Sequence, residues 1–340
     1  MGDGCAPLPA ALLPGAAPCR HWDEATVHRR LTADPAGYLA FARDCLADLA
    51  AGRAHVQMPP KLVLDDPLDD LGDDRGGGDF RLMPCVRRGP RGVLKTVKII
   101  GTNRAQRLLP GQITVGELLV LDAAEQCVID RFEACLLSSA RTGLVAALAL
   151  AALAPQARRI AIVGAGRVGY YAAIYCAAAL PLTRIELVDT DAARAEDTAQ
   201  ALRDAGQPCH AAPSADPACD AWLLATTSEH AFCAPPPDAP PVVLSLGADA
   251  AGQRELTDAW AGRAALWVDS ADAVNYGDLR AWRERGLIDA TAPPDLLALL
   301  AQPPRAATGE WRLFISTGCA LYDNLTAAYL LSEESRTRQA

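Results

Sequence analysis

Lysine is almost missing from this chain: of its 32 basic residues only Lys61, Lys95 and Lys98 are lysines. Arginine is therefore the default cation, and lysines confined to one stretch mark positions that want a compact, tunable ammonium. The eleven cysteines are an odd, scattered set without a CxxC pair, which reads as reduced, mostly buried thiols in a cytoplasmic protein. No basic run or stripe is visible, and with a net charge of −9 and a pI near 5.1 neither a nucleic-acid partner nor an anionic membrane is expected. The longest apolar run, "GLVAALALAALAP" at 143–155, is too short to span a bilayer and predicts a buried helix. The opening "MGDGCAPLPAALLPGAAPCR" lacks a basic n-region and is broken by Pro and Gly, so it reads as a flexible extension rather than a signal peptide.

What is present suffices for about two domains, since 340 residues with 51% hydrophobic and 21% charged positions can bury substantial cores. Apolar spacing from His21 to about Ala51 predicts helix, ended by Gly52. Pro59 and Pro60 lead into a strand. The acidic, Gly-rich "DDPLDDLGDDRGGGDF" predicts a solvent-facing loop, and without His or Cys it is not a metal site. "FRLMPCVRR", "GVLKTVKIIG" and "ITVGELLVLD" alternate like sheet strands. From "RRIAIVGAGRVG" to about residue 290 strand and helix alternate, as in a parallel sheet flanked by helices. An α/β protein follows, with a dinucleotide-binding domain beside a strand-rich α+β domain.

The clearest chemistry lies in that second half. Gly164, Gly166 and Gly169, with Arg167 and Val168 between the last two, follow an apolar strand and open a helix. Gly164 suits a tight turn, Gly166 admits a pyrophosphate to the backbone, and Gly169 lets helix meet strand. Asp189, at the end of the next strand, is placed to accept from ribose hydroxyls and would repel a 2′-phosphate, so NAD is expected over NADP. Thr226, Thr227 and Gly247 end later strands of the same sheet, on the side where the nicotinamide half and a substrate belong. Ahead of this unit, "LLSSARTG" reads as a helix start, with Ser138 or Ser139 as cap and Arg141 and Thr142 in the first turn. A cation at that end points to an anion, although an exposed surface Arg reads as well.

"MPPK", "FRLMP", "LKTVKIIGTN", "SSARTG", "GAGRVG", "GADAAGQREL" and "FISTGCALYD" occur in an order that resembles the ornithine cyclodeaminase/mu-crystallin family, which includes cyclodeaminases, archaeal-type alanine dehydrogenase and ketimine reductases. The resemblance implies a homodimer whose first domain binds substrate and forms the interface, and a C-terminal helix that returns to it. The division is then an extension at 1–20, a substrate and dimerisation domain at 21–140, a Rossmann domain at 141–305 and a returning segment at 306–340. It also implies that Lys61, Lys95 and Arg141 surround the substrate carboxylate, with Lys95 beside the reacting carbon. Asp249 matches the residue that handles amine protons, and Gly318 falls among the cofactor contacts. Lys98 receives no role and reads as exposed on the same strand. Arg81 stands where ornithine cyclodeaminases carry a Glu, a reversal that disfavours a second ammonium and joins Arg81 to the substrate set.

These readings predict an NAD-dependent oxidoreductase acting on the Cα–N bond of an L-amino acid or its imine, with Lys95 and Asp249 as catalytic groups. A cyclodeaminase using bound NAD catalytically is the alternative. A non-catalytic binder of a dinucleotide or small effector is the alternative from another class.

Overall fold

The computed structural model describes residues 15, 17–65, 79–103, 106–235, 242–250, 252–289, 291–304 and 311–339. Most of the N-terminal extension and residues 66–78 of the acidic loop lie outside the described residues.

The stretch expected as one helix is divided. After the short strand β1 (Arg20–Trp22), α1 (Glu24–Ala33) ends at Asp34, which caps α2 (Pro35–Ala50) by accepting from Gly37 N at 2.8 Å. Pro35 in the first turn of α2 needs no hydrogen-bond donor there but could not continue α1, so the break is local.

Six more strands follow: β2 (His55–Gln57), β3 (Leu62–Asp65), β4 (Asp79–Gly89), β5 (Gly92–Thr102), β6 (Thr114–Leu121) and β7 (Val128–Glu133). They form a mixed sheet in the order β1-β7-β6-β5-β4-β2, with β3 also on β4, and every pairing is antiparallel except β1 with β7.

Helix α3 (Ala134–Leu153) then crosses between the two sheets, so the expected boundary at 140/141 falls inside a continuous helix. At 20 residues it is longer than the apolar run suggested and is apolar enough to cross a membrane, but 83% of its most apolar window is buried inside the protein. Its early start has a plain cause: Glu133 accepts from Cys135 N and from Leu136 N, capping the helix one turn ahead of the serines.

The second sheet is entirely parallel. Its strands are β8 (Arg159–Val163), β9 (Arg184–Val188), β10 (Cys209–Ala211), β11 (Ala221–Leu224), β12 (Val242–Ser245), β13 (Ala264–Val268) and β14 (Trp311–Ile315), in the order β10-β9-β8-β11-β12-β14-β13. Helices α4 (Arg167–Ala179) and α5 (Ala192–Asp204) link β8 to β9 and β9 to β10, and α6 (Gly277–Glu284) and α7 (Leu296–Ala301) lie between β13 and β14. The order reverses direction between β8 and β11, which puts a crevice above those two strand ends. Segment 306–340 is shared: β14 belongs to the parallel sheet, whereas α8 (Ala320–Gln339) packs on α2, α3, β4 and β5.

Candidate functional site

At the carboxyl end of β8 the chain turns through Gly164 at φ 113°, where an added Cβ would stand 2.3 Å from Ala225 O. Only glycine fits that turn. Gly166, at the N-terminus of α4, has open space where its Cβ would be, and no side chain caps this helix. The first amides of α4 are therefore left to whatever approaches Gly166, an arrangement suited to a pyrophosphate. Gly169 packs against the turn, its missing Cβ 2.0 Å from Gly164 O. Arg167 and Val168 occupy the first turn of α4, with Arg167 on the wall of a cavity of about 460 Å³ shared with Ala165, Gly166, Tyr170, His28 and Thr198. Asp189, just past β9, braces the glycine turn by accepting from Ala165 N at 2.8 Å.

Thr226 and Gly247 meet at a residue that sequence reading missed. The fully buried Glu255 accepts from Thr226 N (2.8 Å), Thr226 Oγ1 (2.8 Å), Ser245 Oγ (2.7 Å) and Gly247 N (3.1 Å), tying together the ends of β11 and β12. Thr227 beside them is exposed. Thr142 is placed differently from expectation: it lies inside α3 and its hydroxyl donates to Ser138 O at 2.8 Å. Ser139 donates likewise to Cys135 O. Neither serine caps a helix and Arg141 is not in a first turn, so the helix-end argument for an anion at Arg141 does not hold.

Arg141 nonetheless joins a buried charge cluster. Its Nε lies 3.2 Å from Asp323 Oδ1, and the remaining guanidinium nitrogens face Gly318, where a Cβ would come within 2.6 Å of Nη2. Gly318 thus leaves room for the arginine fork. The second cation on Asp323 is Lys98, with Nζ 2.8 Å from Oδ2 and 3.2 Å from Ser138 Oγ; the Oδ2 contact is a close ion pair lacking hydrogen-bond alignment.

This corrects the reading of the lysines. Lys95 and Lys98 are three apart on β5, and side chains on a strand alternate, so they lie on opposite faces. Lys98 is 1% exposed beneath α8, whereas Lys95 points to the other face and donates to Ala123 O (2.7 Å) and Gln126 Oε1 (2.9 Å). Lys95 does not join Lys61, Arg81 and Arg141, and Lys98 does.

Lys61 donates to Asp249 O (2.9 Å) and Thr317 O (2.8 Å) and sits 3.7 Å from the centre of the Tyr276 ring. Arg81 pairs with Asp79 and, through Nη1 at 2.8 Å, with Asp249 Oδ2. Burial pushes the Lys61 and Lys98 ammoniums down to about 8, opposed chiefly by Asp249 in one case and Asp323 in the other. Burial would raise the Asp249 carboxyl, but Arg81, Lys61 and Arg141 outweigh it and hold it below its ordinary value. Burial raises the carboxyl of Asp269, whose Oδ2 accepts from Ser316 Oγ and Gly318 N and whose Oδ1 is buried without a partner.

The four cations Lys61, Arg81, Lys98 and Arg141 are thus matched by four carboxylates, Asp79, Asp249, Asp269 and Asp323. A cavity of about 380 Å³ opens beside Lys61, walled by Met58, Met83, Ser270, Asp272, Gly318 and Cys319. Among the described residues no group of three His, Cys, Asp or Glu side chains could hold a metal ion.

The sequence matches the model of the ornithine cyclodeaminase/mu-crystallin family over residues 28–337. An L-lysine cyclodeaminase of Streptomyces rapamycinicus is 31% identical over 280 residues, covering 78% of this chain and 80% of that protein. Among solved structures, the Δ1-pyrroline-2-carboxylate reductase of Thermococcus litoralis with NADH and L-proline superposes with a TM-score of 0.80 at 18% identity, over 93% of this chain and 98% of that one. An archaeal alanine dehydrogenase dimer with bound NAD gives 0.77 at 18% identity, over 94% and 97%.

Proposed function

Because the chain belongs to the ornithine cyclodeaminase/mu-crystallin family, we propose that it is an NAD-dependent oxidoreductase of the Cα–N bond, acting on an L-amino acid or the corresponding imine. The observation that carries this reading is the buried cluster of Lys61, Arg81, Lys98 and Arg141 gathered where the parallel sheet meets the mixed one. NAD, held by Gly164, Gly166, Gly169 and Asp189, supplies hydride exchange with the substrate carbon.

The protein's own residues do the remaining work. The Arg141 fork, left clear by Gly318, takes the substrate carboxylate in a bidentate grip. Lys98 takes the role first read for Lys95: an amine titrating near 8 exchanges a proton with the substrate nitrogen or with water at neutral pH, as a guanidinium cannot. Asp249, kept ionised by Arg81, receives and orients the substrate amine rather than donating to it. The cavity beside Lys61 gives room for the side chain. A cytoplasmic location is part of the proposal.

A second reading, cyclodeamination of a diamino acid, is favoured by one feature. Asp79 and Asp249 both lie on Arg81, so the trio carries one net negative charge and does not repel a second ammonium as a bare arginine would. The test is to incubate the protein with NAD+ and a panel of L-amino acids including alanine, lysine and ornithine, following NADH and ammonia together. Equal release of both supports the dehydrogenase. Ammonia without accumulating NADH supports the cyclodeaminase. Silence with every amino acid, and also with cyclic imines or keto acid and ammonia plus NADH, rules out both.

We also propose that the outward face of the mixed sheet pairs with a second copy. Leu62, Leu64, Phe80 and Ile99 are 38–49% exposed there, and cross-strand register makes them one patch, with Leu64 opposite Phe80 and Leu82 linking Leu62 to Ile99. Such a patch asks for a cover. The archaeal alanine dehydrogenase is a dimer.

A further inference from the structure

We propose that Asp323 is a positioning residue that holds the Arg141 guanidinium with one oxygen and the Lys98 ammonium with the other, fixing the carboxylate-binding fork and the proton-handling amine relative to each other. The proposal rests on the functional reading above, in which Arg141 and Lys98 meet the substrate.

Three chain segments meet at this carboxylate: β5 brings Lys98, α3 brings Arg141 and α8 brings Asp323, each 7% exposed or less. The contacts are 2.8 Å from Lys98 Nζ to Oδ2 and 3.2 Å from Arg141 Nε to Oδ1. Among the described residues neither cation has another ion pair. The charged and titratable groups facing Lys98 are Asp323 from α8, Arg141 from α3 and Arg81 from β4, with the Ser138 hydroxyl also from α3. Two of the three charges repel its ammonium, so Asp323 is the one charged group among them that attracts it, beside the neutral Ser138 hydroxyl. Because the Arg141 bond is made through Nε, the same carboxylate aims the opposite side of the guanidinium at Gly318. Asp323 itself makes no contact that would place it on the substrate; it acts through its two partners.

The chain's three lysines make a direct test possible. Full-length protein labelled with 15N and 13C in lysine gives three side-chain signals, each assigned by its own lysine-to-arginine variant and followed against pH by nuclear magnetic resonance. In Asp323→Asn, Lys98 loses its counter-charge while Arg141 stays, so its titration moves down by about one to three pH units. The Lys61 and Lys95 signals hold their positions. In Arg141→Met the carboxylate serves Lys98 alone and the titration moves up.

NADH binding, read by fluorescence, is expected to survive in both variants and reports folding. In steady state, Asp323→Asn raises KM for substrate at least tenfold, and the Lys98 limb of the kcat profile shifts with the resonance. Asp323→Glu restores part of both. An unmoved Lys98 titration in Asp323→Asn overturns the proposal, and so does an unmoved one in Arg141→Met, which carries the test if the first variant does not fold. A Lys98 signal that moves while the kcat profile stays still leaves the shared carboxylate standing and overturns the catalytic role given to Lys98.

Discussion

Strand β5 presents two faces to two different environments. On one, Thr96, Lys98 and Ile100 lie buried under α8 and α3. On the other, Lys95, Val97 and Ile99 share a surface with Phe80, Leu82, Leu119 and Leu121. Both faces carry a lysine, yet their chemistry is opposite. The buried lysine has lost most of its water and answers to one carboxylate, whereas the outer one is solvated and bonded to a turn. Burial and the sign of the neighbouring charge, more than the residue type, decide what a lysine can do.

The largest expected effect falls on the inner face. Lys98→Met should lower kcat about a hundredfold to ten-thousandfold, with NADH affinity unchanged by fluorescence titration. A loss below about threefold would return the two lysines to equal standing. In the wild type, oxidation of the amino acid should quicken as pH rises through about 8, because the neutral amine is the base. The reductive direction should slow over the same interval, since it needs the ammonium, and Lys98→Met should flatten both curves.

On the outer face the effect is on assembly rather than on chemistry. Phe80→Glu puts a charge into the apolar patch and should weaken the proposed dimer by about 2 kcal/mol or more, seen as concentration-dependent dissociation by light scattering. A variant that stays dimeric at micromolar concentration would mean that another surface forms the interface. Away from both faces, Glu255→Gln replaces an acceptor of four hydrogen bonds with a group that can donate. A loss of about 1–3 kcal/mol in unfolding free energy should appear in urea titration, together with weaker NADH binding. The smallest effect belongs to Lys95→Met, expected to stay within about 0.5 kcal/mol in stability and within twofold in kcat.

What could be read from the sequence was what depends on near neighbours. The glycine turn, its helix and Asp189 lie within one βαβ unit, and their spacing alone specifies the geometry. Many strands of both sheets were readable for the same reason, from alternation and turn residues, whereas β1, β2, β7, β10 and β14 were not read. The start of α3 was missed because Ser138 and Ser139 look like better caps than Glu133, which the structure makes the last residue of β7. Alternation does show that Lys95 and Lys98 point opposite ways. Which of them points inward is decided by α8, more than 200 residues later in the chain, and no local pattern carries that. Asp323 and Glu255 were invisible for the same reason: a lone acid in a helix or loop says nothing until the partners from distant segments have assembled around it.

Helix α8 has a temporal consequence. It is threaded into the mixed sheet through Asn324, which bonds Arg87, Thr96 and the Leu94 carbonyl, and into the helices through Thr326 against Tyr38. During synthesis the strands of both sheets emerge before residue 320, and until α8 docks Lys98 and Arg141 confront each other without Asp323. On the proposed reading, a nascent or truncated chain that has folded the glycine turn still lacks the carboxylate that holds Lys98 and Arg141. On that reading the cation pair is complete only once α8 has docked.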